Sequence, residues 1–214
     1  MKKINKSIIV LLIVMTILSF ANILNIKING EVLKLAGISV IVGIIGYFTT
    51  RKTNESITSG LDIKKCFSSL KDVKVILLLI IPTLLNILCF LVAKNFLPEY
   101  IEHLNGRTNF INSSEIIKTV LMLAVAALGE EIAWRAFFQK QTTKVLKFIP
   151  SLIITSILFS LGHFNFGNLL IVIYDLSSIF INSIFYGLVF KKTDNAWCSW
   201  ISHYIANLIG IFMI

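Results

Sequence analysis

Seven stretches of this chain read as candidate membrane crossings, and nothing else in the sequence restricts the fold as strongly. They run approximately Ser7–Leu24, Val32–Thr50, Val73–Ala93, Ile116–Phe138, Phe148–His163, Leu169–Phe190 and Ala196–Ile214. A helix needs ~20 mostly apolar residues to cross a bilayer core of ~30 Å. Of the 214 residues, 56% are hydrophobic and 14% charged, whereas a soluble domain carries about 25% charged residues. Those proportions exclude a disordered chain, which is polar and charged. Three cysteines without CxxC spacing exclude a disulfide scaffold and predict free thiols. The expected fold is all-α, a polytopic bundle of about seven (six to eight) transmembrane helices in one integral membrane domain over 1–214. The fifth stretch is short, and the sixth contains Asp175 and Ser177–Ser178 and could be two pieces. The basic start and Ser19-Phe20-Ala21 are compatible with a cleaved signal peptide, but an uncleaved first helix is simpler given the later spans.

The net charge of +9 is a topology signal. Fourteen of the twenty Lys and Arg residues fall before the first span or in alternate loops, at Lys2–Lys6, Arg51–Lys74, Lys140–Lys147 and Lys191–Lys192. Five lie on the opposite side, and Arg135 is inside a span. Cytoplasmic ends carry the excess of basic residues. The chain is therefore expected in the cell membrane, multi-pass, with its N-terminus cytoplasmic and its basic face toward an anionic leaflet. Basic residues split among four short segments are a poor nucleic-acid surface, so no nucleic-acid partner is expected.

The informative residues break the apolar pattern. Ala124–Phe138 reads AVAALGEEIAWRAFF, placing Glu130, Glu131 and Arg135 in one long helix. Three unpaired mid-bilayer charges would cost on the order of 8–10 kcal/mol, so these side chains must face protein or water, and some must pair. Glu131 and Arg135 are four residues apart with Glu on the N-terminal side, the better order for an intrahelical ion pair. That pair reads as structural. Glu130 points about 100° away around the helix. It is the carboxylate left over, and suits general acid–base work.

Of three histidines, His103 falls in a polar outer loop near Glu99 and Glu102 and is expected to be solvated. His163 ends the fifth stretch, with Phe159 four residues before it, and His203 lies in the last span, with Asn207 four residues after it on the same helix face. At ~1.5 Å per residue, Glu130 and His203 lie roughly 10–14 Å from the inner boundary and His163 roughly 20 Å. His163 joins the other two only if its helix tilts or starts later. Taken singly, an intramembrane His, a Glu–Arg pair or an Asn is often packing or interhelical glue. Jointly, one spare carboxylate, two histidines and one carboxamide occupy three apolar helices.

These motifs, Glu130-Glu131-x-x-x-Arg135, Phe159-x-x-x-His163 and His203-x-x-x-Asn207 in that order, resemble the CPBP intramembrane protease family, also called the Abi or type II CAAX prenyl protease family. The resemblance covers roughly 116–214 as a catalytic core, and 1–110 matches only in being hydrophobic helices. It implies that Glu130 and His163 activate a water, that His203 and Asn207 stabilise the oxyanion, and that Glu131 and Arg135, with Phe159, support the site. If a metal such as zinc is present, Glu130, His163 and His203 are the implied set with an open fourth position. No HExxH helix occurs, and spacing leaves metal-bound and directly activated water both open, with the metal-free version preferred. Ser160 lacks a nucleophile elbow, and no phosphate-cradling glycine loop occurs. Trp197, Trp200 and Tyr204 are expected to anchor the helix at the inner membrane interface.

The expected function is an intramembrane endopeptidase acting on membrane proteins, leader remnants or secreted-peptide precursors, including those of bacteriocin processing. The alternative is a non-catalytic membrane binding or immunity protein using the same polar cavity. A transporter or proton relay is disfavoured because no inverted repeat or broken-helix pair is visible.

Overall fold

A computed structural model describes residues 4–24, 27–28, 31–32, 35–53, 60–108 and 116–213. Its helices are α1 (Lys6–Ala21), α2 (Ala36–Thr53), α3 (Ile63–Ser69), α4 (Val73–Phe96), α5 (Glu99–Thr108), α6 (Ile116–Glu131), α7 (Lys140–Thr142), α8 (Phe148–Leu161), α9 (Leu169–Thr193) and α10 (Ala196–Met213). A π-helical segment, Ile132–Gln139, joins α6 to α7. The two-residue strands Lys27–Ile28 and Glu31–Val32 pair antiparallel between α1 and α2. Among the described residues, each apolar stretch of the sequence is occupied mainly by helix. The sixth is one unbroken helix, because Asp175 and Asn182 are buried in the bundle and Ser178 turns its hydroxyl back to the Asp175 carbonyl. Helices α4 and α9 are long and apolar enough to cross a membrane by length and composition, and α1, α8 and Gly37–Arg51 of α2 are shorter apolar helices.

Local chemistry sets the ends. Asp62, Asp72 and Asn168 cap α3, α4 and α9, each accepting a backbone N–H of the first turn. Helix α9 stops at Asp194, whose φ of 46° is left-handed. There the Asp194 carboxylate takes Lys140 at 2.7 Å and Lys65 at 3.6 Å. The Asn195 side chain then donates to the Asp62 carbonyl at 2.6 Å, closing the basic end of the bundle.

The packing differs from that of a soluble domain in its surface and in its buried polar groups. Large apolar side chains face outward, as at Ile117 (79% exposed), Val125 (72%) and Leu169 (74%). Glu131, Arg135, Gln139, Asp175, Ser199 and Ser202 are among the buried residues. A bilayer favours this arrangement, because lipid solvates the apolar surface and polar groups must find partners within the protein. Close helix crossing supplies the rest. At Gly46 an added Cβ would run into the Phe137 ring, and at Gly43 into Ala133, so only glycine lets α2 lie this close to the π-helical segment.

Helix α10 is the central post, packed on α4, α6 and α9. Ser202 donates to the Leu79 carbonyl at 2.9 Å, in the turn of α4 that Pro82 interrupts. Trp200 donates to the Ala124 carbonyl at 2.8 Å and Tyr204 to the Val120 carbonyl at 3.3 Å. The aromatic residues read as interface anchors therefore also tie α10 to α6. All three cysteines are free, and the Cys66 and Cys198 sulfurs lie 3.1 Å apart. Burial pushes the Cys66 thiol up to about 12.

Candidate active site

The end of α6 sets the site. Two consecutive carboxylates sit where the α-helix passes into the π-helical segment, a wider turn that recurs at functional sites. Glu131 is fully buried. Its Oε2 accepts from Arg135 Nε at 3.3 Å, and its Oε1 faces His203 Nδ1 at 3.0 Å. Arg135 in turn donates to Ser183 Oγ at 2.9 Å, and its guanidinium lies over Phe159, 5.1 Å from the ring centroid. The expected Glu131–Arg135 pair exists, and it also orients a histidine seventy-two residues away.

That histidine is clamped. The His203 ring stacks on Tyr186 with centroids 4.5 Å apart and meets Phe159 edge-on at 5.8 Å. His163 lies just past the end of α8, with Nδ1 2.8 Å from the Phe159 carbonyl. A carbonyl can only accept, so the His163 proton on that bond belongs to Nδ1. The carboxylate of Glu131 imposes the same choice on His203. Both rings, when neutral, therefore turn Nε2 lone pairs toward the same place, and Glu130 Oε2 is there, 4.0 Å from His163 Nε2 and 3.7 Å from His203 Nε2. The three groups meet, the outcome that requires α8 to tilt or to start later than the depth estimate assumed.

Glu130, His163, His203 and Asn207 line one cavity of about 310 Å³, with Phe159 in its wall and Glu131 and Arg135 behind. Sequence reasoning missed Tyr186, Ser183, Asn182 and Asn86. Asn86 on α4 donates to the Ala206 carbonyl at 3.0 Å, and Asn182 donates to Asn86 Oδ1 at 2.5 Å. A signal for three of the missed or unassigned residues was present. Asp175, Asn182 and Tyr186 interrupt an apolar run at spacings that share one helix face.

One expectation is corrected. His103 is not solvated. It lies on α5, its side chain only 6% exposed, with Nε2 3.4 Å from Asp175 Oδ2. The reading as a polar loop overlooked that Tyr100, His103 and Leu104 fall on one face of an amphipathic helix.

The donor types around Glu130 suit zinc, whose ~2.0–2.1 Å bonds place tetrahedral donors about 3.3–3.4 Å apart. The observed separations of 3.7 and 4.0 Å are a few tenths of an ångström wider. Among the described residues, no three His, Cys, Asp or Glu groups form a ready metal-binding cluster.

Residues 112–209 match the family described as type II CAAX prenyl endopeptidase Rce1-like. Over those residues, just under half of the chain, the protein is similar to the CPBP/CAAX protease-like family. That family is membrane-embedded and is a family of proteases, and the matched segment contains Glu130, His163, His203 and Asn207. No curated protein and no solved structure matches the chain.

Proposed function

We propose that the chain is an intramembrane endopeptidase that hydrolyses a peptide bond with a water held between Glu130 and His163. The observation that carries this reading is the convergence of Glu130 Oε2 with the Nε2 atoms of His163 and His203 in a half-buried cavity of an apolar bundle. Glu130 takes a proton from the water as its oxygen attacks the scissile carbonyl, then passes that proton to the leaving amine. His163 accepts the water's other hydrogen and fixes its direction. His203 and Asn207 face the oxygen on which negative charge develops. With Nδ1 committed to Glu131, His203 donates to that oxygen only in its doubly protonated form, and Glu131 supplies the counter-charge.

A divalent ion such as zinc, if it belongs here, would be held by Glu130, His163 and His203 and would supply Lewis-acid activation of water. We favour the metal-free version. The topology that fits the lysine distribution is about seven crossings with a cytoplasmic N-terminus. Phe90, Leu104, Met122, Leu123, Ile179 and Ile211 give the cavity an apolar lining. That lining suits a substrate carrying apolar side chains or an isoprenyl group, and the substrates proposed are membrane proteins and secreted-peptide precursors.

The test is cleavage by purified, reconstituted protein of two internally quenched peptides, one a prenylated CAAX peptide and one an unmodified secreted-peptide precursor. Cleavage of either that disappears in Glu130→Ala supports the proposal. A Glu130→Ala protein that is well expressed and fully active, in this assay and in the cell, sinks it. The peptides that accumulate in a Glu130→Ala strain identify the substrate. Loss of activity on chelation, restored by zinc, would overturn the metal-free version alone.

A further inference from the structure

We propose that α5 is the end wall of the substrate cavity, latched to the bundle by Asp175, and that Tyr100 and Leu104 on it set the size of the substrate group the cavity admits. The proposal deepens the peptidase reading and rests on it for the identity of the substrate. Its residues on α5 lie outside the segment that matches the family.

A buried carboxylate in an apolar helix is expensive unless it is partnered. Asp175 is 1% exposed in the middle of α9, and the proposed chemistry makes no use of it. Its two oxygens are both directed to α5. Oδ1 accepts from the Tyr100 hydroxyl at 3.4 Å, and Oδ2 lies 3.4 Å from His103 Nε2, an ion-pair distance for a protonated imidazole without hydrogen-bond geometry. The helix is fastened again at its start, where Asn168 Nδ2 donates to Glu99 Oε2 at 3.1 Å. Beneath these polar contacts Tyr100 and Leu104 pack with Ala93 and Ile171, and the Tyr100 ring meets Tyr174 edge-on at 5.0 Å. His103 also fits closely under the turn before α9, since a Cβ on Gly167 would come within 3.0 Å of its Nδ1.

The other face of this fastening is the cavity. Tyr100 and Leu104, 5% and 7% exposed, line the same space as Glu130 and His203. A short helix held by side-chain contacts is easier to displace than the spanning helices around it. The wall also has a built-in reporter. Cys89 lines the cavity and is half-buried, whereas Cys66 and Cys198 are buried against each other elsewhere.

The experiment uses the full chain in lipid vesicles and has two arms. In the first, Cys89 is labelled with a water-soluble maleimide. Leu104→Ala, which removes apolar packing from the wall, and His103→Ala, which removes the imidazole facing Asp175, should each raise its labelling rate about tenfold, the scale of losing one buried contact. Asp175→Asn, closer in shape, should raise it less. In the second, quenched CAAX peptides bearing a farnesyl or a geranylgeranyl thioether are compared. Leu104→Ala should shift kcat/KM toward the longer chain by about tenfold or more, the scale of a small change in an apolar pocket. Leu104→Trp should shift it the other way. If the wild type cleaves neither peptide, the peptidase reading for these substrates falls, and the labelling arm still judges the wall. Unchanged Cys89 labelling in Leu104→Ala and His103→Ala overturns the wall, whatever the cleavage result. A wild type that cleaves both peptides, with a chain-length preference unmoved by either Leu104 variant, overturns the size-selecting role.

Discussion

Glu130 and Glu131 are neighbours in the chain with opposite surroundings. Glu131 is sealed in the bundle and accepts from an arginine and a histidine. Glu130 is 22% exposed to the cavity, has no hydrogen bond among the described residues, and faces two imidazole nitrogens at longer range. One residue, about 100° of helix rotation, divides a satisfied carboxylate from an under-satisfied one. A polar group with all its partners holds structure together. A polar group short of partners can still bind something, and in the proposed reaction that is a water and then a proton.

The largest expected effect is on the open side. Glu130→Gln should lower turnover about 10²–10⁴-fold and leave the unfolding midpoint of purified protein where it was. A large stability loss instead would make Glu130 a second structural carboxylate. On the sealed side the effect should reverse in kind. Glu131→Gln leaves Arg135 buried without its counter-charge and should destabilise by about 3–5 kcal/mol, read by denaturant unfolding in detergent. Equal stability to wild type would break the contrast. Gly46→Ala, which touches the π-helical segment but neither carboxylate, should cost about 1–3 kcal/mol through overpacking against Phe137, with KM unchanged. The smallest effect lies at the exposed basic end. Lys192 donates to Asp72 at 3.0 Å and, with the Lys74 backbone N–H, holds the Asp72 carboxyl below the usual range. A depressed carboxyl stabilises the fold above its unfolded pKa, and that contribution is lost as pH falls through the folded pKa. Lys192→Met should therefore flatten the acid limb of a stability–pH profile slightly, and an unchanged profile would show that the contact contributes nothing.

Much of this arrangement was legible in advance because the bilayer limits the choices. Apolar runs become helices, and an i, i+4 Glu–Arg pair in such a run has little else to do than pair. What could not be read depended on distance in the chain. Nothing near Glu131 announces that its second oxygen will hold His203, and nothing near Asn86 announces Asn182 or Ala206. The π-helical turn leaves no mark in the composition of Ile132–Gln139. His103 was misjudged for a different reason. Charge density around α5 suggested water, while burial there is decided by one face of ten residues and a carboxylate seventy-two positions later.

The hydrogen bonds that α4 makes with α10 have a consequence for dissecting the protein. Ser202 reaches Leu79 and Asn86 reaches Ala206, from opposite sides of the stretch that carries His203. A fragment starting near residue 112 would keep every motif of the matched family. It would still leave that stretch of α10 facing lipid without the α4 surface that covers it and without the carbonyl that accepts from Ser202. What can be recognised as related is thus smaller than what can fold, and transplanting the one without the other should yield an insoluble or inactive piece.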